Sequence, residues 1–181
     1  MTVASKTDLR RQFRQVRCAV MPHVQEAMAT MAQQVLPGLV SPHKRLGLYW
    51  PIGAEPDLRP VAEMLPCALP VVEGEQLFYR PWQVGQPLVP DGCGIPAPGE
   101  GAALDPSALA ALVVPALALD ARGIRLGSGG GWYDRLRAQP PWRAVPALAV
   151  LPSTCLAEAL SSDPWDVPFD GWLDEQGLHW I

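Results

Sequence analysis

Soft metal ligands are scarce in this sequence and nowhere grouped. The four cysteines (Cys18, Cys67, Cys93 and Cys155) and three histidines (His23, His43 and His179) are scattered, with no C-x-x-C pair. A zinc site needs clustered ligands of this kind, so the pattern argues against one, and free thiols in a reducing compartment are expected. Long apolar runs are missing too. None approaches the roughly 18 residues of a membrane-spanning helix. The start, MTVASKTDLRRQFRQVR, is charged and amphipathic, and lacks the apolar stretch and cleavage site of a secretory signal. A cytoplasmic protein without membrane partners is therefore expected. Positive charge is in short supply as well: 14 Lys and Arg against 18 Asp and Glu leave a net charge of −4. That balance argues against a general nucleic-acid binder.

What is present is proline, 21 of 181 residues, more than double the usual share of roughly 5%. With 49% hydrophobic residues, the composition predicts one globular domain over 1–181, built from short elements joined by stiff turns. The positive charge is also concentrated. Lys6, Arg10, Arg11, Arg14 and Arg17 face one acid, Asp8; Arg122, Arg125, Arg135, Arg137 and Arg143 face one acid, Asp134. The two segments carry +4 each and the remainder −12. If they meet, they would focus an anionic ligand. On charge alone, two separately solvated faces fit equally well.

Ser5 is a candidate helix cap with Asp8 as capping-box partner, and Leu9, Phe13, Val16 and Val20 recur at helical spacing. Lys6, Arg10, Arg14 and Arg17 form a second, basic stripe. Pro22 reads as the first turn of a second helix that ends at Pro37-Gly38. Strands are predicted at 45–50, 68–72, 77–82, 111–114 and 145–151, with an edge strand at 171–173. Short helices are predicted at 58–65 and 155–160, and an extended loop at 83–106. Strands alternating with helices imply an α/β fold with a largely parallel sheet.

The strongest local signal is Arg125-Leu-Gly-Ser-Gly-Gly-Gly-Trp-Tyr-Asp134-Arg135. Gly127, Gly129, Gly130 and Gly131 lie between a buried strand and a helix start, where glycine permits positive φ and close backbone approach to a ligand. Successive amides and a helix N-terminus there suit a phosphate. The segment is not a P-loop, and Trp132 stands where a dinucleotide fingerprint needs its last glycine. Read locally, a flexible surface turn remains the alternative. Asp134, just inside the helix, suits Mg²⁺ shared with phosphate oxygens, or simply complements the helix dipole.

At these residues the chain resembles the 5-formyltetrahydrofolate cyclo-ligase family, also called methenyltetrahydrofolate synthetase. Val113–Arg135 (VVPALALDARGIRLGSGGGWYDR) is similar to the family signature nearly residue for residue. Lys6-Thr-Asp-Leu-Arg10, Tyr49-Trp-Pro-Ile-Gly-Ala-Glu55 and Gly94-Ile-Pro-Ala-Pro98 resemble three further elements, in order along the chain. The resemblance implies a three-layer α/β/α sandwich with a largely parallel central sheet, NagB/RpiA-like. It also implies an ATP- and Mg²⁺-dependent ligase acting on a reduced folate, monomeric or weakly self-associating.

By the same resemblance Lys6, Arg10 and Arg125 would be catalytic and contact ATP, together with Leu126, Gly127, Ser128, Gly129, Gly130, Gly131, Trp132 and Tyr133. Trp50 and Glu55, with Gly129 to Trp132, would contact the folate. Asp134 and Asp166 would hold the metal. The chain departs from the family pattern at Trp165, where His is usual, at Asp174, where Thr is usual, and at Ser153-Thr154, where a glutamine is expected. Three other readings compete: a non-catalytic nucleotide or folate binder, a sugar-phosphate isomerase or CoA-transferase-like enzyme, and an interaction module using residues 6–17.

Overall fold

The computed structural model describes residues 5–181. It opens with α1 (Lys6–Val35), a single helix of 30 residues. The Ser5 hydroxyl accepts from the Asp8 amide at 3.1 Å, the expected cap. The reciprocal half of a capping box is not formed, because the Asp8 carboxylate instead accepts from the Ser5 hydroxyl at 2.7 Å and from Arg11 at 2.6 Å.

Pro22 does not start a second helix; it lies within α1. Its ring is exposed, while Met21 and Met28 are buried. Burial of the opposite face holds the helix through a residue that would end an isolated one. The two stripes also interlock. Arg14 is exposed, but Arg17 is buried beside Phe13 and Met21.

The main sheet is built from β1 (Arg45–Gly47), β2 (Cys67–Glu73), β3 (Gln76–Trp82), β6 (Leu109–Pro115), β9 (Ala147–Val150), β11 (Gly171–Leu173) and β12 (Leu178–Trp180), in the order β12-β11-β9-β6-β1-β2-β3. The five central strands pair in parallel, and β3 and β12 close the edges antiparallel. Gly171–Leu173 is thus not the edge strand expected; β12 covers it. Side chains of β6 alternate between two cores, Leu112 and Val114 on one face, Ala111 and Val113 on the other. The first core takes Leu136 of α2 (Trp132–Ala138) and Trp142 of α3 (Pro140–Arg143); the second takes Met21, Met28 and Ala32 of α1. Helices therefore pack on both faces of the sheet.

Several elements differ from expectation. The strand expected over 45–50 stops at Gly47. Residues 59–63 form a 3₁₀ turn. The loop over 83–106 contains a hairpin, β4 (Leu88–Pro90) with β5 (Pro96–Pro98). It tolerates prolines because it is only two strands wide and needs few ladder amides. The helix expected over 155–160 is replaced by a 3₁₀ turn at Ser153–Cys155 and β10 (Leu156–Ala157). The latter joins β7 (Ala118–Asp120) and β8 (Arg125–Leu126) in a three-stranded sheet beneath the glycine loop. No helix among the described residues is long and apolar enough to cross a membrane.

Candidate active site

Strand β1 is followed in sequence by β2 on one side of it, while β6 lies on its other side. That reversal opens a crevice beyond the carboxyl ends of β1 and β6, the usual ligand position in open α/β sheets. Here it is a cleft of about 300 Å³. Tyr49 and Trp50, just beyond β1, and Pro115, ending β6, line it. Every residue named above for ATP, folate or metal lines the same cleft. The two basic segments do meet, so the charge ambiguity is resolved by folding.

The glycine loop leaves β8 and enters α2 through Gly131, whose φ of +65° favours glycine. Gly129 is at +114°. At Gly127 the constraint is space: a Cβ would lie 2.8 Å from the Arg125 guanidinium. Arg125 forms the floor of the loop. It donates from Nη1 to the Pro115 carbonyl at 2.9 Å, and Tyr133 and Phe169 each lie 5.4 Å from its guanidinium. Burial pulls its pKa down from the ordinary value, opposed by Asp134, Tyr133, Glu55 and Asp166. No ion pair is formed by Arg125 among the described residues, so a half-buried positive charge stands under the loop without a bonded counterion.

The first turns of helix α1 border the cleft through Lys6 and Arg10. Arg10 donates from Nε to the Gly127 carbonyl at 3.0 Å, fixing helix to loop. One turn earlier Lys6 reaches Asp163 at 2.5 Å and Asp166 at 3.2 Å. Burial opposes the charge on Lys6, but hydrogen bonds to both carboxylates outweigh it and hold its pKa above the ordinary value. Further along, buried Arg17 donates to the Ala116 carbonyl at 3.2 Å.

The Tyr49–Glu55 segment is closed on itself. The Tyr49 hydroxyl donates to the Pro56 carbonyl at 2.5 Å, and a Glu55 carboxylate oxygen accepts from the Ile52 amide at 3.0 Å. Glu55 is 9% exposed. Burial raises its pKa, against the pull of the Ile52 amide, Arg17 and Arg125. Trp50 is partly committed already: Arg59 sits 4.5 Å over its ring and Trp82 meets it edge-on at 6.1 Å.

Asp134 is half-buried on the cleft wall and forms no ion pair among the described residues. Such a carboxylate fits a Mg²⁺ ion that takes its other ligands from phosphates and water. No group of three or more metal-ligating side chains occurs among the described residues, so a cage supplied wholly by protein does not fit. Asp166 is more occupied, since its Oδ2 accepts from both Lys6 and the Asp163 amide.

Residues 2–173 match the 5-formyltetrahydrofolate cyclo-ligase family. The chain belongs to that family. It is 27% identical to a 5-formyltetrahydrofolate cyclo-ligase of Mycolicibacterium smegmatis, over 92% of each chain. It is 29% identical to one of Escherichia coli K12, over 86% of this chain and 92% of the relative. The solved structure of Aquifex aeolicus 5,10-methenyltetrahydrofolate synthetase superposes with a TM-score of 0.77 at 28% identity, covering 97% of this chain and 92% of that one. A Mycoplasma pneumoniae 5,10-methenyltetrahydrofolate synthetase shares the fold, with a TM-score of 0.73 at 21% identity over 95% and 99%.

The cyclo-ligase cleft also contains residues that sequence reading left out. Val72 and Leu77 come from β2 and β3, and Cys93 and Ile95 from the β4–β5 turn. Asp91 pins that turn, accepting from Cys93 and Ile95 with one oxygen and from Val72 with the other. The Gly94–Pro98 segment was the available signal for this wall. Asp163 and Trp165 also line the cleft; the departure from the family pattern at Trp165 was the signal for that turn, but nothing in it placed the turn at the cleft.

Proposed function

We propose that the protein converts 5-formyltetrahydrofolate to 5,10-methenyltetrahydrofolate in the cytoplasm, using ATP with Mg²⁺ and releasing ADP and phosphate. One observation carries this reading beyond family membership: the Arg10 guanidinium reaches the glycine loop at Gly127, in the cleft that also holds the buried Glu55. A phosphate cradle and a partly apolar pocket with one fixed carboxylate thus share one cavity, as a reaction between a nucleotide and a flat heterocycle requires.

The chemistry follows from what the formyl group lacks. Its oxygen is a poor leaving group, so the ring does not close readily by loss of hydroxide. Transfer of the γ-phosphoryl group to that oxygen gives a phosphorylated, imine-like carbon. Nitrogen 10 attacks it and gives up its proton to water, and the C–O bond breaks as phosphate departs. Arg10 and the amides of Gly127–Trp132 stabilise charge on the moving phosphoryl group, Lys6 adds positive charge beside the rest of the phosphate chain, and Arg125 supports the loop from below. Glu55 accepts an N–H of the pterin or formyl region, and the free face of Trp50 packs on the ring. Asp134 would hold a Mg²⁺ ion, with the remaining oxygen of Asp166 available to it, and the ion would supply positive charge against the phosphates. The partners are small molecules, and neither nucleic acid nor membrane is involved.

The test is the appearance of methenyl absorbance when protein, 5-formyltetrahydrofolate, ATP and Mg²⁺ are mixed. Asp134→Asn should slow turnover at least about a hundredfold, the scale of losing one preorganised charge-stabilising group, with unchanged circular dichroism. ATP hydrolysis without dependence on the folate, or Asp134→Asn at the wild-type rate, would defeat the assignment.

A further inference from the structure

Trp165 is 67% exposed, yet it lines the cleft. The turn that carries it is fixed: Lys6 binds Asp163 and Asp166, and the Asp163 amide donates to Asp166 at 2.8 Å. A large apolar ring thus stands at the lip of the cavity on a turn tied to α1, with much of its surface uncovered.

Helix α1 locates this arm relative to the rest of the site. Lys6 marks the Trp165 turn, and Arg10, about 6 Å further along the helix, marks the glycine loop. Arg17, about 16 Å from Lys6, marks the end of β6 and lies within electrostatic range of Glu55. The order is Trp165 turn, phosphate loop, Glu55 end. The phosphoryl group must be transferred toward the folate, so the opposite end of the nucleotide points toward the Trp165 turn. The carboxylates of that turn are already paired with Lys6, which leaves the Trp165 ring as the uncovered surface there.

We propose that Trp165 is the platform on which the nucleotide's base stacks, a specificity-determining residue in which this chain departs from the histidine of its family pattern. The proposal rests on the ATP-dependent reading above. It is tested by titrating wild-type protein and Trp165→Ala with ATP, inorganic tripolyphosphate and 5-formyltetrahydrofolate in the presence of Mg²⁺, using calorimetry. Loss of one base–aromatic stack weakens binding roughly tenfold. Trp165→Ala should therefore bind ATP about tenfold more weakly than wild type while binding tripolyphosphate and folate equally well, and Trp165→Phe should recover most of the loss. Equal weakening of ATP and tripolyphosphate, weakening of folate alone, or no change in ATP binding would each overturn the platform while leaving the proposed reaction standing. Failure of the wild type to bind either triphosphate would overturn both.

Discussion

Glu55 shows how a single carboxylate is shaped for work in this cleft. Its carboxylate accepts from the Ile52 amide, which ties the side chain back to its own turn, and burial raises its pKa above the ordinary 4.5. The native state therefore holds the Glu55 proton more tightly than the unfolded chain does. Stability must fall as pH rises from 4.5 through the raised native value, and the penalty is constant above that window. Glu55→Gln removes the charge but keeps an oxygen for the Ile52 amide. It should melt at the same temperature as wild type below pH 4.5 and higher at neutral pH, while turnover drops. Melting curves at both pH values check this; no difference between the two would mean Glu55 is solvated as freely in the native state as in the unfolded chain. Residues of this kind were legible where chemistry is local. The glycines announce themselves by spacing and by the helix that follows, whereas Asp134 at that helix start suits the helix dipole as readily as a metal. Arg17 did not, because a buried arginine and an exposed one fit the same helical period; only the packing of α1 against β6 separates Arg17 from Arg14.

Elements were legible where burial and propensity agree. The apolar run of β6 and the strands β2, β3 and β9 follow from hydrophobic pattern, since each is buried by neighbours on both sides or pairs in a hairpin. Prolines misled where tertiary packing outweighed their local preference. Pro22 lies inside α1, where it removes one backbone donor and costs up to about 3 kcal/mol in an ordinary helix interior. Its exposed position lets water satisfy the freed Cys18 carbonyl, so the cost is expected nearer 1 kcal/mol. Pro22→Ala should therefore raise the melting temperature by roughly 2–4 °C for a chain of this size, with no change in turnover. A lower melting temperature would mean that the fixed backbone angle of Pro22 is needed to seat Met21 and Met28 in the second core. The β4–β5 hairpin was illegible for the complementary reason. Pro90, Pro96 and Pro98 suggest irregular chain, yet their carbonyls and the pinning of the turn by Asp91 are enough to hold a two-stranded ladder.

At the scale of the whole molecule, the site is assembled from segments far apart in sequence: Lys6 and Arg10 near the start, Glu55, the loop at 127–131 and the turn at 163–166. Lys6 joins two of these through its bonds to Asp163 and Asp166, across more than 150 positions. The same residue thus has two possible duties, holding the fold together or holding the nucleotide. Magnitudes separate them. The pair is partly exposed, with Lys6 at 30% and Asp163 at 40% side-chain exposure, and ion pairs in such settings contribute about 0–1 kcal/mol. A ligand at a hundred times its dissociation constant adds about 2.7 kcal/mol to stability, which corresponds to roughly 5–10 °C for this chain length. Lys6→Ala without ligand should therefore melt within about 3 °C of wild type, yet at the Mg-ATP concentration that shifts wild type by several degrees it should shift little. Rising salt should shrink the wild-type shift as well, because the charges at the cleft mouth are screened. A large drop in the melting temperature of unliganded Lys6→Ala, with the Mg-ATP shift retained, would make Lys6 a strut and leave the phosphate end of the cleft to Arg10 and the loop amides.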